Sequence, residues 1–142
     1  MQLRESAIRE HGDNMTHQKL NVGVAQRIGT YSDGMAASPN LRWIFTAGTP
    51  GMRPDGTTPE GITAQAEQAW INLLAILEQG GMGVADLVKV THYLLRAEDI
   101  KPYAAVRAKF LGDARPASML LVVPALVRPE FLVEIEAYAA KA

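Results

Sequence analysis

Near the C-terminus the sequence reads LVEIEAYAA, Leu132 to Ala140, which sets Glu134 and Glu136 among apolar residues. Read as a strand, its side chains alternate between faces with a period of two. Val133, Ile135 and Ala137 then point one way, and Leu132, Glu134, Glu136 and Tyr138 the other. Two carboxylates ~6–7 Å apart along a strand suit a general base or a group that orients water. A solvated outer face carries the same residues at the same spacing, so the pattern alone leaves both readings open.

Other residues invite similar scrutiny. Tyr31 sits in IGTYSDG beside turn-prone residues, where its phenol could meet a ligand or close a hairpin. Gly48 in FTAGTPG follows a strand end. A glycine there admits a ligand close to the backbone, or simply makes the turn. The histidines are His11, His17 and His92, with no metal-ligand spacing, so no metal site is expected. His92, in a strand among apolar residues, reads as structural or as an interface residue. Ser32 and Ser118 lack the setting of a nucleophile elbow. Neither phosphate-cradling glycine pattern occurs, which leaves nucleotide binding unsupported.

The elements that must position these residues follow from the period. Residues 1–27 are mixed and polar and read as a tail or irregular lead-in, with the domain spanning 28–142. TYSDGMAA and LRWIFTAG, joined by the turn signal SPN, read as a hairpin. In GITAQAEQAWINLLAILEQGG the apolar residues Ile62, Ala66, Ala69, Leu73, Ile76 and Leu77, flanked by Trp70 and Leu74, predict an amphipathic helix. Gly80 and Gly81 stop it. DLVKVTHYLL is the next strand. AEDIKPYAAVRAKFLGD is a second helix, with Pro102 in its first turn and Ile100, Tyr103, Ala104, Arg107, Phe110 and Leu111 on its inner face. ASMLLVVPAL and FLVEIEAYAA are the last strands. The order ββαβαββ predicts an α+β sandwich with two helices on one face of a mixed sheet.

Composition narrows the function classes. The formal net charge is −1, which argues against general electrostatic binding to nucleic acid or an anionic membrane. No apolar run approaches the ~20 residues needed to span a bilayer. The opening MQLRESAIREHGDN has no apolar core of a signal peptide. With no cysteine, disulfides and thiolate chemistry are excluded, and a cytoplasmic location is expected.

The ordered segments IGTYSDGM, WIFTAGTPG, QAEQAWINLLAILEQGGMGVADLVKVTHYL, FLGDARPAS and LVEIEAYA resemble the RidA family, also called YjgF or L-PSP. The resemblance covers roughly residues 26–140. It implies a chorismate-mutase-like fold and a homotrimer with ligand clefts between subunits. It also implies cofactor-independent hydrolysis of enamines or imines such as 2-aminoacrylate to 2-keto acids and ammonia. By the same resemblance Glu134 orients the attacking water, while Tyr31 and Gly48 contact the ligand. One departure stands out. Deaminating members carry a carboxylate-binding arginine in a P-A-R-S segment, where this chain has Ser118 after Pro116 and Ala117. An asparagine of their second helix is replaced by Ala104. A serine hydroxyl cannot make the bidentate, charged contact of an arginine. Arg115, Arg53 and Arg128 are candidate substitutes. Three expectations follow: a small-molecule hydrolase with altered specificity, a non-catalytic ligand-binding or regulatory trimer, and, with least physical support, an endoribonuclease or translation inhibitor.

Overall fold

The helical period seen in the sequence becomes α2, Ile62–Gln79, which buries Ala66, Ala69, Trp70, Leu73 and Leu77 along one stripe. The structure, a computed structural model, describes residues 17–142. The helix ends where Gly81 takes φ 73°. Met82 N–H there donates to Leu77 O at 2.8 Å and Gly81 N–H to Glu78 O at 2.9 Å, which satisfies two carbonyls left without helical partners. The second long helix, α3 (Ile100–Leu111), carries Pro102 in its first turn and buries Tyr103, Val106 and Leu111. Ile100, expected on its inner face, is 38% exposed.

Among the described residues, seven strands accompany the helices: β1 (His17–Leu20), β2 (Gly34–Ala37), β3 (Arg42–Phe45), β4 (Thr49–Pro50), β5 (Leu87–Leu94), β6 (Ala117–Val122) and β7 (Val133–Lys141). A short helix, α1 (Ala25–Ile28), lies between β1 and β2. The main sheet runs β3-β7-β5-β6, and β4 also pairs with β7. β5 and β6 are parallel while the β7 pairings are antiparallel, so the sheet is mixed. α2 and α3 cover one face. On that face His92 of β5 meets Trp70 of α2 at 6.2 Å and Tyr103 of α3 at 5.3 Å between ring centroids. This is the expected α+β architecture.

Two local expectations are corrected. The predicted hairpin does not form: β2 pairs with β1 in a separate two-stranded sheet, and β3 pairs with the C-terminal half of β7. The chain does turn at Ser38–Asn40, where Asn40 takes φ 65°. Phe45, however, packs edge-to-face on Tyr138 of β7 at 5.3 Å. A remote aromatic partner therefore outcompetes the neighbouring strand, which offers only Gly34, Met35, Ala36 and Ala37. Second, residues 17–20 of the supposed lead-in form β1, because β2 needs a partner once β3 has gone elsewhere. Residues 25–27 of the same segment open α1, and residues 1–16, with His11, lie outside the described residues.

Candidate functional site

The edge that β3 and β4 present to β7 is interrupted at Thr46–Gly48, opposite the carboxylates. Thr46 bridges the gap. Its N–H donates to Ala137 O at 3.0 Å, and its Oγ1 accepts from Ala137 N–H at 2.9 Å. A break of this kind bends a strand and frees backbone beside a site. Gly48 then lies over Glu134, so that a Cβ built on it would stand 3.5 Å from Glu134 Oε2. Two side chains of α2 brace the surroundings. Gln65, buried, donates to Glu130 O at 2.9 Å and accepts from Leu132 N–H at 2.8 Å, which sets the start of β7. Asn72 donates to Pro50 O at 3.0 Å and Met52 O at 2.7 Å, which fixes β4 against Glu134.

The two carboxylates share the sheet face away from the helices, as the alternation requires, but their surroundings differ. Glu136 accepts a hydrogen bond from Tyr93 Oη at 3.2 Å. Glu134 is partly buried, and desolvation raises its pKa above the ordinary glutamate value. It gains no compensating hydrogen bond among the described residues. A carboxylate held this way is a stronger base than a solvated one and keeps its lone pairs free.

Ser118 stands on the opposite face. In the ladder it lies beside Val90, and Glu134 lies opposite Tyr93. Positions three apart on one strand point to opposite sides. Ser118 borders a cleft of about 460 Å³ between α3, the β6 edge and the segment around Tyr31, with Ile28, Ile100, Ala104 and Arg107 on its walls. Tyr31 reaches this cleft because Ser32 forms a parallel bridge with Ala117 and its N–H donates to Pro116 O at 3.0 Å. One chain thus brings Tyr31 to Ser118 and Gly48 to Glu134, and it keeps the two pairs apart.

Behind Ser118 runs a buried polar chain. Ser118 Oγ and His92 Nε2 are 3.0 Å apart, and His92 Nδ1 is hydrogen-bonded to Tyr103 Oη. The arrangement resembles a nucleophile with its base, but its electrostatics oppose that role. Burial, aided by the Arg107 charge, pulls His92 down to about 3. Burial also holds the Tyr103 phenol well above its usual value, so it stays neutral. No carboxylate backs the imidazole as in a catalytic triad. The arrangement that leaves no buried donor idle has Tyr103 O–H donating to Nδ1 and Nε2–H donating to Ser118 Oγ. The Ser118 proton is then free to donate into the cleft.

A family model described as Endoribonuclease L-PSP matches residues 23–141. The chain belongs to this family. Among its Rid/L-PSP relatives, a RutC family protein of Pyrococcus horikoshii is 35% identical over 116 residues, 80% of this chain and 89% of the relative. The 2-iminobutanoate/2-iminopropanoate deaminase of Escherichia coli is 33% identical over 84 residues, 58% of this chain and 61% of that enzyme. The crystal structure of the Rid family protein YyfB from Yersinia pestis superposes with a TM-score of 0.80 at 25% identity, covering 89% of this chain and 100% of that one.

Within one copy of this Rid-family chain, none of the three candidate substitute arginines lines the cleft at Ser118. Arg115 donates to Gly112 O and Ala114 O at 2.7 Å each, Arg53 donates to Thr57 Oγ1 at 3.1 Å, and Arg128 faces Glu130 at 3.9 Å. The cation at the cleft is Arg107, which the sequence pattern places on the inner face of α3. Its signal was already present as a charge inside an apolar stripe. Gly29 makes room for it, since a Cβ there would meet Arg107 Nη2 at 3.4 Å and the Tyr31 ring at 3.5 Å. Among the described residues no group of histidine, aspartate or glutamate could hold a metal ion, and no helix is long and apolar enough to cross a membrane.

Proposed function

We propose that this protein acts on a small molecule held between two copies of the chain and hydrolyses an enamine or imine there. The observation that carries the reading is the Glu134 carboxylate, partly desolvated, unpaired among the described residues and set beside a glycine. Water attacks the C=N carbon while Glu134 accepts its proton. The carboxyl group passes that proton to nitrogen, which gives the carbinolamine. Glu134 then takes the carbinolamine hydroxyl proton and hands it to the same nitrogen, so that the C–N bond breaks, ammonia leaves and the carbonyl forms; an enamine reacts as its imine tautomer. A raised pKa suits both halves of this exchange. Gly48 supplies backbone beside the water, and Tyr31 and Ser118 hold the ligand. The deaminase name of the Escherichia coli relative agrees with this chemistry. The endoribonuclease description of the family model finds little support in a chain of net charge −1.

Because Glu134 and Ser118 occupy opposite faces, a shared site needs a second copy. The open face also needs covering, with Phe45 68% and Met119 51% exposed and Trp43, Leu121 and Tyr138 beside them. The expected assembly is a homotrimer. Light scattering at micromolar concentration should read three times the 15.4 kDa chain mass, and a monomer would remove the intersubunit site altogether.

The activity is tested by generating 2-aminoacrylate or 2-iminobutanoate in situ with a pyridoxal-phosphate lyase. Release of the keto acid should run faster with the protein than without it. No acceleration with either substrate would leave the non-catalytic, ligand-binding trimer as the surviving reading.

A further inference from the structure

We propose that Arg107 is the carboxylate anchor of this chain, and that the cleft beside it takes a small 2-oxo or 2-imino carboxylate with an apolar side chain. This deepens the reading of the cleft given above and rests on it.

The first argument is an unanswered charge. Arg107 makes no ion pair or hydrogen bond among the described residues, and its Nε is buried without a partner. No carboxylate side chain lines the cleft. An ionised guanidinium with an inner N–H out of water is costly to maintain unless something accepts from it. Tyr103 gives its flat face to the guanidinium, with Arg107 Cζ 5.9 Å from the ring centroid, which holds the group in place without using its donors. A planar fork with free N–H groups matches a carboxylate in two-point geometry.

A second donor stands in the same cleft. With His92 Nε2–H donating to Ser118 Oγ, the tautomer that satisfies the buried chain, the Ser118 hydroxyl keeps its proton for the bound carboxylate. Ala104, one turn before Arg107, adds no polar group to the wall. The remaining wall is apolar and open, with Ile28 70% and Ile100 38% exposed, and it would accept an alkyl chain better than a second charge. The positive charge thus sits on α3, whereas the resemblance implies it on β6, and the serine on β6 becomes its helper.

The test reads binding to the full chain, independent of turnover. Titrate the protein with 4-methyl-2-oxopentanoate, which contains no C=N bond, and with the corresponding amide. The wild type should bind the acid at least about 10-fold more tightly than the amide. Arg107→Gln should weaken acid binding by about 10-fold or more and erase that preference. Ser118→Ala should weaken it by a smaller factor, about 3-fold. Adding Ser118→Arg to Arg107→Gln should restore acid binding, which a merely structural role for Arg107 would not allow. Should Arg107→Gln fail to fold, the acid-to-amide ratio of the wild type decides. Equal wild-type binding of acid and amide would overturn the proposal, as would unchanged acid binding by folded Arg107→Gln. Inorganic phosphate displacing the acid more strongly than acetate would also overturn it, in favour of a general anion site. Loss of imine hydrolysis with these binding effects intact would sink the hydrolase reading alone. Hydrolysis and acid binding that both ignore Arg107→Gln would sink only the anchor.

Discussion

Glu134→Gln lowers turnover of the imine substrate by about 10²–10⁴-fold, while Glu136→Gln changes it far less. Glutamine keeps the shape of the side chain but cannot take a proton from water. The asymmetry is expected because Glu136 is already engaged by the Tyr93 hydroxyl, whereas Glu134 is desolvated and free. Stability should move the other way. Burial raises the folded-state pKa of Glu134, so its ionised form is the one folding disfavours. That penalty is absent below the unfolded pKa and is fully present above the folded pKa. At pH 7 Glu134→Gln should therefore keep or raise the melting temperature, and the gain should vanish as the pH falls below the ordinary glutamate range. In the wild type, the acid limb of kcat/KM should sit above that range. Turnover and melting curves of both variants across pH check all of this. Equal responses at 134 and 136 would mean that the sheet face is simply wet.

Trp70→Ala should produce the largest loss of stability. The ring is fully buried, stacks on Phe110 at 6.1 Å with a 15° interplanar angle, and packs on His92 at 6.2 Å. Replacing such a side chain leaves a cavity that a rigid core fills only in part, at about 3–5 kcal/mol. Denaturant unfolding at a fixed protomer concentration reads that loss, and Trp70→Phe should recover much of it. The cavity would open beside His92, the hydrogen-bond partner of Ser118. Where Trp70→Ala still folds, ligand affinity should therefore fall before the proton-transfer step does. A loss under about 1 kcal/mol would contradict the packing of α2 against β5.

Much of this molecule is legible along the chain. Spacing near 3.6 residues marks α2, and its glycine stop lands on Gly81, where a left-handed φ is required. Alternation in β5 and β7 separates His92 and Ile135, which face the helices, from Thr91, Glu134 and Glu136, which face outward. These are local properties, carried by backbone geometry repeated every few residues.

Partner choice is not local. The sequence alone determined the α+β architecture, the two helices and the common face of the two glutamates. It could not say that β3 would leave its neighbour for Tyr138, because cross-strand aromatic packing over about ninety residues has no period to read. Nor could it separate Glu134 from Glu136, since a glycine flank and a tyrosine hydroxyl, brought in from other segments, make the difference. The same holds for Arg107. On its helix it looks like one charge at the border of an apolar stripe. Only the tertiary fold brings it into one cleft with Ser118 and Tyr31, sets Gly29 beside its guanidinium, buries its Nε and leaves it without a counter-charge among the described residues. Desolvation gives these groups their chemistry, and it arises only when distant parts of the chain exclude water together.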